Sequence, residues 1–180
     1  MPLIANALTS LDAVKAYLKI SLPEVSDDEL LIDLINASSV TIENYCKRKF
    51  KEQAYIAEEF DGTGKTHILL DQYPVKSIES VLIDNTLIDP IEYKIKKKNG
   101  VLLRTSGIWP KGEINIAVSY TAGFSEIPYD LELACKHLVM SYYKSDIASF
   151  STTFQDGMVF RPEALPAQVK VLLAPYKKVM

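Results

Sequence analysis

The stretch that most constrains the fold is DDELLIDLINASSVTIENYCKRKF, residues 27–50. Leu31, Leu34, Ile35, Ser38, Ile42, Tyr45 and Cys46 recur at three- and four-residue steps, the period of one helix face. Ser26 precedes the stretch and Glu29 follows three residues later. That spacing predicts a capping box: the serine oxygen accepts a first-turn N–H and the glutamate reaches back. Asp27 and Asp28 put negative charge at the positive end of the helix dipole, and Lys47, Arg48 and Lys49 put positive charge at the other end. No Gly or Pro interrupts the run. Such a helix is about 35 Å long, the width of a small domain. Its apolar stripe must be covered by other elements, and three further helical segments are available.

The first lies upstream. Thr9 and Asp12 predict a weaker capping box opening a short helix to about Ile20, with Leu11, Val14, Tyr17 and Leu18 as its stripe. Leu22-Pro23 stops it, because the residue before proline avoids the helical region. From about Tyr55 to Tyr120 the period changes to two. Six strands are expected, near 55–60, 67–70, 76–83, 91–97, 101–105 and 114–120. In the last, Ile114, Ile116, Val118 and Tyr120 fall on one face. Turn residues separate the strands: Asp61 to Gly64, Asp71 to Pro74, Asp84-Asn85, Asn99-Gly100 and Pro110 to Gly112. Asn-Gly is a strong hairpin signal. A two-residue loop there, however, pairs Lys97 with Leu102 and Ile95 with Arg104, so a bulge or shifted register is expected. Pro128 opens a third helix, with Leu131, Ala134, Cys135, Leu138, Val139 and Tyr142 as its stripe and an end near 144–148. Residues 149–161 show no regular period. A last short helix starts near Pro166, uses Val169, Leu172 and Leu173, and is ended or kinked by Pro175.

Runs of helices and strands, rather than strict alternation, indicate an α+β fold. The expected architecture is a bundle of about four helices with an inserted antiparallel β domain of about six strands. The expected boundaries are 1–53 for an N-terminal helix pair, 54–124 for the β domain, and 125–180 for C-terminal helices that pack on the first pair.

Composition narrows the function classes. The chain has 180 residues, 48% hydrophobic and 24% charged, ordinary for a globular protein. Its net charge of -3 argues against affinity built on neutralising DNA phosphates. It is compatible with a protein that must let DNA pass without gripping it. Cys46 and Cys135 each fall inside an expected helix and read as buried free thiols in a reducing compartment. No run of about 18 apolar residues exists to span a membrane as a helix. The opening MPLIANALTS lacks a basic segment and a long apolar core, so no signal peptide is expected.

Catalytic patterns find little support. Asp61-Gly62-Thr63-Gly64-Lys65-Thr66 superficially resembles a phosphate loop, but the position that needs the first glycine is Glu59. A strand and then Pro74 follow, so no helix N-terminus is available for phosphate. A tight turn between strands is the better account. His67 and His137 have no partner at metal-ligand spacing, and there is no C-x-x-C. No cofactor is expected. The acidic clusters Asp27-Asp28-Glu29 and Glu58-Glu59 read as helix capping and a solvated strand edge.

Two stretches carry more. Lys94, Lys96, Lys97 and Lys98 cluster beside the Asn-Gly turn. They form either a soluble hairpin tip protected from edge-to-edge pairing, or a contact with nucleic acid or with an acidic patch on a neighbouring subunit. The segment 149–161 carries Phe150, Phe154, Met158, Val159 and Phe160. It either folds back over its own core or is held for another protein.

The order of these pieces resembles the head–tail connector proteins (adaptors, or head-completion proteins) of long-tailed bacteriophages. The matching pieces are Leu8-Thr9-Ser10-Leu11, Asp27-Asp28-Glu29-Leu30, Ile42-Glu43-Asn44-Tyr45-Cys46 and Tyr73-Pro74-Val75. Further along, Trp109-Pro110 lies before a strand that ends in Tyr120-Thr121-Ala122-Gly123-Phe124. Ile127-Pro128 and Leu172-Leu173-Ala174-Pro175-Tyr176 complete the set. The β block is longer than in the smallest members. The resemblance implies a structural protein without enzyme activity, found at the head–tail interface of a virion and in the host cytoplasm during assembly. Its copies would form a ring of about twelve under the portal. The ring would extend the channel for double-stranded DNA and meet a stopper or tail-side protein. The C-terminal segment would engage the portal, which points to Phe150, Phe154, Met158, Phe160 and Tyr176 as partner contacts. Lys94, Lys96, Lys97 and Lys98 would then face the channel or another subunit. The alternative is an α+β nucleic-acid or small-ligand binding module using the basic hairpin at 94–98.

Overall fold

A computed structural model describes the backbone of residues 2–151 and 165–178 and the side chains of 2–144 and 165–178. The chain divides into two compact units, Met1–Arg48 with Ile127–Met180, and Lys49–Glu126. The fold is α+β, as the sequence predicts, with seven strands among the described residues where about six were expected.

The first unit holds four described helices: α1 (Leu11–Leu18), α2 (Asp28–Cys46), α3 (Tyr129–Ser151) and α4 (Ala167–Leu173). Leu31, Ile35, Ile42 and Cys46 of α2 are fully buried, as are Leu131, Ala134, Cys135, Leu138 and Val139 of α3. Two small residues of α2, Ser38 and Ser39, are also fully buried. Ser39 Oγ lies 3.7 Å from Cys135 Sγ, donates to the Ile35 carbonyl at 2.8 Å and accepts the Leu8 N–H at 3.0 Å. A larger side chain at that point would push α3 off α2.

Both expected capping boxes are corrected. In α1 the cap is Ser10, whose oxygen accepts the Ala13 N–H. The Thr9 hydroxyl donates instead to Glu132 at 3.1 Å, because a long-range carboxylate is available to it. In α2 the cap position is Asp27, with no side-chain capping bond. The Ser26 hydroxyl contacts Asp27 at 3.5 Å, and the Asp27 carboxylate accepts from Tyr143. The long helix also ends at Cys46 rather than continuing to Phe50. Lys47 adopts a left-handed conformation at φ 55°, and Arg48 N–H bonds back to the Glu43 carbonyl at 3.1 Å. This closes the helix end as glycine usually does. The helix α3 runs on to Ser151, beyond the expected end near 144–148.

The second unit contains two antiparallel sheets. One has the order β1 (Gln53–Gly62), β7 (Gly112–Ala122), β3 (Val75–Ile83), β4 (Thr86–Leu87). The other has β2 (His67–Leu69), β6 (Val101–Arg104), β5 (Tyr93–Lys96). The two-residue β4 is the strand that periodicity missed, since a pair shows no alternation. Their shared core includes Leu102, Trp109, Ile116, Val118 and Tyr120, all fully buried. Ile114 leaves the expected face: it has φ 50° and is 64% exposed. Its N–H is held by Asp61 Oδ1 at 2.7 Å, at a bulge where pairing jumps from Phe60↔Ile116 to Gly62↔Gly112. Gly62 is required there, because a Cβ would sit 1.7 Å from the Pro110 carbonyl oxygen.

The two thiols give a stability prediction. Burial pushes the Cys135 thiol up to about 12 and Cys46 up to about 11, the latter offset in part by Arg48 and Lys177. Below pH about 9 both thiols stay protonated whether folded or not, so they exert no pH dependence. Above it the unfolded chain releases protons that the folded chain retains, so stability falls as pH rises through the folded values. Tyr143, raised to about 12 by its bond to Asp27 and by burial, acts in the same direction. The urea midpoint is therefore expected to drop between pH 9 and 12, and Cys135→Ala should flatten that drop.

Candidate functional site

The basic hairpin is formed by β5, a 3-10 turn at Lys97–Asn99, Gly100 and β6. Tyr93 pairs with Arg104 and Ile95 with Leu102. The register is therefore shifted by two residues from the simple Asn-Gly loop, and the turn is the four residues 97–100. The shift places two apolar residues opposite each other, with Leu102 fully buried. Gly100, at φ 65°, carries the chain out of the 3-10 turn. Lys94, Lys96, Lys97 and Lys98 are all exposed. Lys97 Nζ donates to the Lys76 carbonyl at 2.7 Å, which ties the turn to β3. The hairpin base is held by Arg104, whose Nη2 lies 2.9 Å from Glu92 and whose guanidinium sits over the Trp109 ring at 5.4 Å. Tyr93, at the foot of β5, has its hydroxyl pKa raised by burial and by Asp89.

The C-terminal candidate Tyr176 is half-buried in a 3-10 turn, Ala174–Tyr176. Its hydroxyl donates to Asp130 Oδ1 at 2.6 Å, and its carbonyl lies 3.4 Å from Arg48 Nη1. Burial, and then the Asp130 carboxylate, push its hydroxyl pKa well above the usual range. The turn is further fixed by the Lys178 N–H, which donates to the Cys46 carbonyl at 3.0 Å. Lys177 lies over the Tyr45 ring at 4.9 Å. Tyr176 is thus first a clasp between the chain end and the start of α3. Phe150 falls on the last turn of α3, and its side chain lies outside the described residues. Phe154, Met158 and Phe160 lie outside them altogether.

The titratable groups form no reactive set among the described residues. His67 is exposed on β2, while His137 Nδ1 is 3.2 Å from the Tyr17 hydroxyl, with the two rings edge to face. No group of three or more metal-ligating side chains occurs among the described residues. The glycine-containing turn after β1 leads into β2, so it has no helix N-terminus to present to phosphate. Beside it is an open cleft of about 260 Å³ lined by Phe60, Asp61, Thr63, Lys65 and His67. A second, of about 230 Å³, lies between α3 and α4 against His137, Met140 and Val169. Both are smaller than the usual ligand pocket. Among the described residues, no helix is long and apolar enough to cross a membrane.

Residues 7–179 match the model of the head completion protein family. The chain belongs to that family of head completion proteins. No curated protein matches it significantly. Among solved structures, the fold is similar to a chain in the neck of an empty gene transfer agent particle computed with C6 symmetry. That match has TM-score 0.63 and 16% identity and covers 100% of this chain and 94% of the other. A chain in the virion of the native gene transfer agent particle matches with TM-score 0.62 and 15% identity, over 98% and 93%. A chain in the neck of the native particle, computed with C12 symmetry, matches with TM-score 0.56 and 16% identity, over 100% and 95%.

Proposed function

We propose that the chain forms a ring at the neck of a tailed phage or a related particle, seated under the portal, and joins head to tail. The ring extends the channel through which double-stranded DNA passes. Its other partner is a stopper or tail-side protein, and it performs no catalysis. The family match over nearly the whole chain carries this reading, and the likeness to a neck chain computed with C12 symmetry supports the ring. The mild acidity suits a channel that must not hold DNA. The protein acts in the virion after assembling in the host cytoplasm. Segment 149–161 and the C-terminal turn, with Phe150, Phe154, Met158, Phe160 and Tyr176, are the contacts toward the portal.

The test is the native mass of the purified protein, alone and after mixing with the cognate portal ring. Assembly of about a dozen copies, in either setting, is the expected result. A monomer that ignores the portal overturns the reading. The exposed lysines at 94–98 favour a second reading, a nucleic-acid binding module. That reading requires salt-dependent DNA binding that disappears when those lysines become glutamate.

A further inference from the structure

The three-stranded sheet of the second unit ends on one side in β2, which pairs with β6 alone among the described residues. The Arg104 N–H donates to the Thr66 carbonyl and the Leu70 N–H to the Gly100 carbonyl, each at 2.8 Å. Both bonds continue the His67↔Leu103 register. Bonded and non-bonded positions alternate along an antiparallel pair. Thr66, Ile68 and Leu70 therefore spend their backbone groups on β6, while His67 and Leu69 turn theirs outward. Neither of these two makes a backbone hydrogen bond on that side among the described residues.

The outward groups border the open cleft of about 260 Å³ described above. Leu69 is 56% exposed beside it. Ile68 is buried in the core of this unit, and Phe60 packs against the same core. The cleft is below the usual ligand range and has room for one side chain rather than a cofactor. The other edge strands offer less. β4 has two residues. β1 is bent at the left-handed Ala57, φ 49°, where its register with β7 shifts. β5 carries exposed Lys94 and Lys96, the kind of charge that keeps an edge from pairing. β2 carries no lysine or carboxylate.

We propose that the β2 edge is a strand-addition site for an extended segment of another protein, with an apolar residue flanked by carboxylates. The segment lies antiparallel, like every pairing in this sheet. Its backbone pairs with His67 and Leu69, and its apolar side chain, in line with Ile68, enters the cleft against Phe60. A carboxylate then stands beside His67, near Lys65. Backbone pairing gives affinity in this mode, and alternate side chains give specificity. The charge follows from the lining. Lys65 and His67 are exposed, and Lys111 lies against the turn, its Cβ 3.8 Å from where a Cβ on Gly64 would stand. The one carboxylate in the lining, Asp61, already holds the Ile114 N–H at 2.7 Å. A second copy does not supply the segment through β5, which would set Lys94 and Lys96 beside Lys65 and Lys111. Three residues bury far less than the roughly 1,000 Å² of a self-sufficient interface, so the occupant is a short tail or loop. The proposal does not depend on the ring reading.

The experiment is a nitrogen–proton NMR titration of the full chain with the end-blocked peptide Thr-Glu-Leu-Glu-Thr. The His67 and Leu69 amide signals are expected to move and their hydrogen exchange to slow, approaching saturation by about 5 mM. N-methylation of both peptide glutamates removes the donors that pair with β2 and should weaken binding about tenfold or more. Leu69→Lys places a guard on the edge and should abolish binding. Lys65→Glu should shift the preference toward Thr-Lys-Leu-Lys-Thr. Circular dichroism checks that both variants fold, and the N-methylated peptide decides the matter if they do not. Equal binding of the N-methylated peptide, or no shift at His67 and Leu69, overturns the proposal. Shifts confined to Tyr93–Lys98 overturn it in favour of the basic hairpin. Protection of His67 and Leu69 that grows with protein concentration, without peptide, overturns it in favour of a second copy.

Discussion

Replacing Trp109 with alanine is expected to destabilise the second unit by about 3–5 kcal/mol, a large part of the stability of an ordinary domain. The indole is fully buried among Ile116, Val118 and Tyr120, and its backbone N–H donates to the Lys65 carbonyl at 2.8 Å. Truncation leaves a cavity in the core to which both sheets contribute. It also removes the ring under the Arg104 guanidinium, which loosens the base of the basic hairpin. Trp109→Phe should be much milder, because it keeps most of the volume. It also removes an indole N–H that is buried without an acceptor among the described residues. Urea unfolding followed by circular dichroism measures both variants. In the wild type, fluorescence of this single tryptophan reports the second unit specifically. A loss below about 1 kcal/mol for the alanine variant would mean the site collapses around the gap.

The second large effect is expected at Lys15, which is 2% exposed although it is a lysine. Its ammonium pairs with Asp28, donates to the Leu22 carbonyl at 3.2 Å and also donates to the Glu24 carbonyl. One charge thus fastens the link between α1 and α2 to the first turn of α2. Lys15→Ala strands a carboxylate and two carbonyls together, at about 3–5 kcal/mol. Lys15→Met keeps the stem packing and should cost less. The variants K15M, D28A and K15M/D28A form a cycle whose coupling is expected at about 1–3 kcal/mol. Asp28 is 24% exposed, so solvent screening holds the value down. A coupling near zero would show that the carbonyls, rather than the ion pair, hold Lys15 in place.

The sites were legible to different degrees. The four lysines beside Asn99 are visible as a run, and their exposure follows from the period-two pattern around them. Glu58 and Glu59 read as a solvated strand edge, and only the tertiary structure shows that Glu58 accepts from the buried Tyr120 hydroxyl. Tyr176 stands out in the sequence as an aromatic at the chain end. Its bond to Asp130, 46 residues away, has no local signature.

The sequence by itself determined the α+β class, the stripes of α2 and α3, and most of the strands. These are periodic signals, written by which residues must leave water, and burial of a stripe or a face follows from spacing alone. Tertiary structure decided everything that depends on a distant partner. It drew Thr9 to Glu132 and left Ser10 to cap α1. It gave the Ser26 position no capping role and set the Ile95–Leu102 register. It turned Ile114 out at a bulge and buried Lys15. Each of these is a choice between a local hydrogen bond or contact and a remote one of similar strength. Such near-degenerate choices are settled only when the rest of the fold brings the remote group within reach.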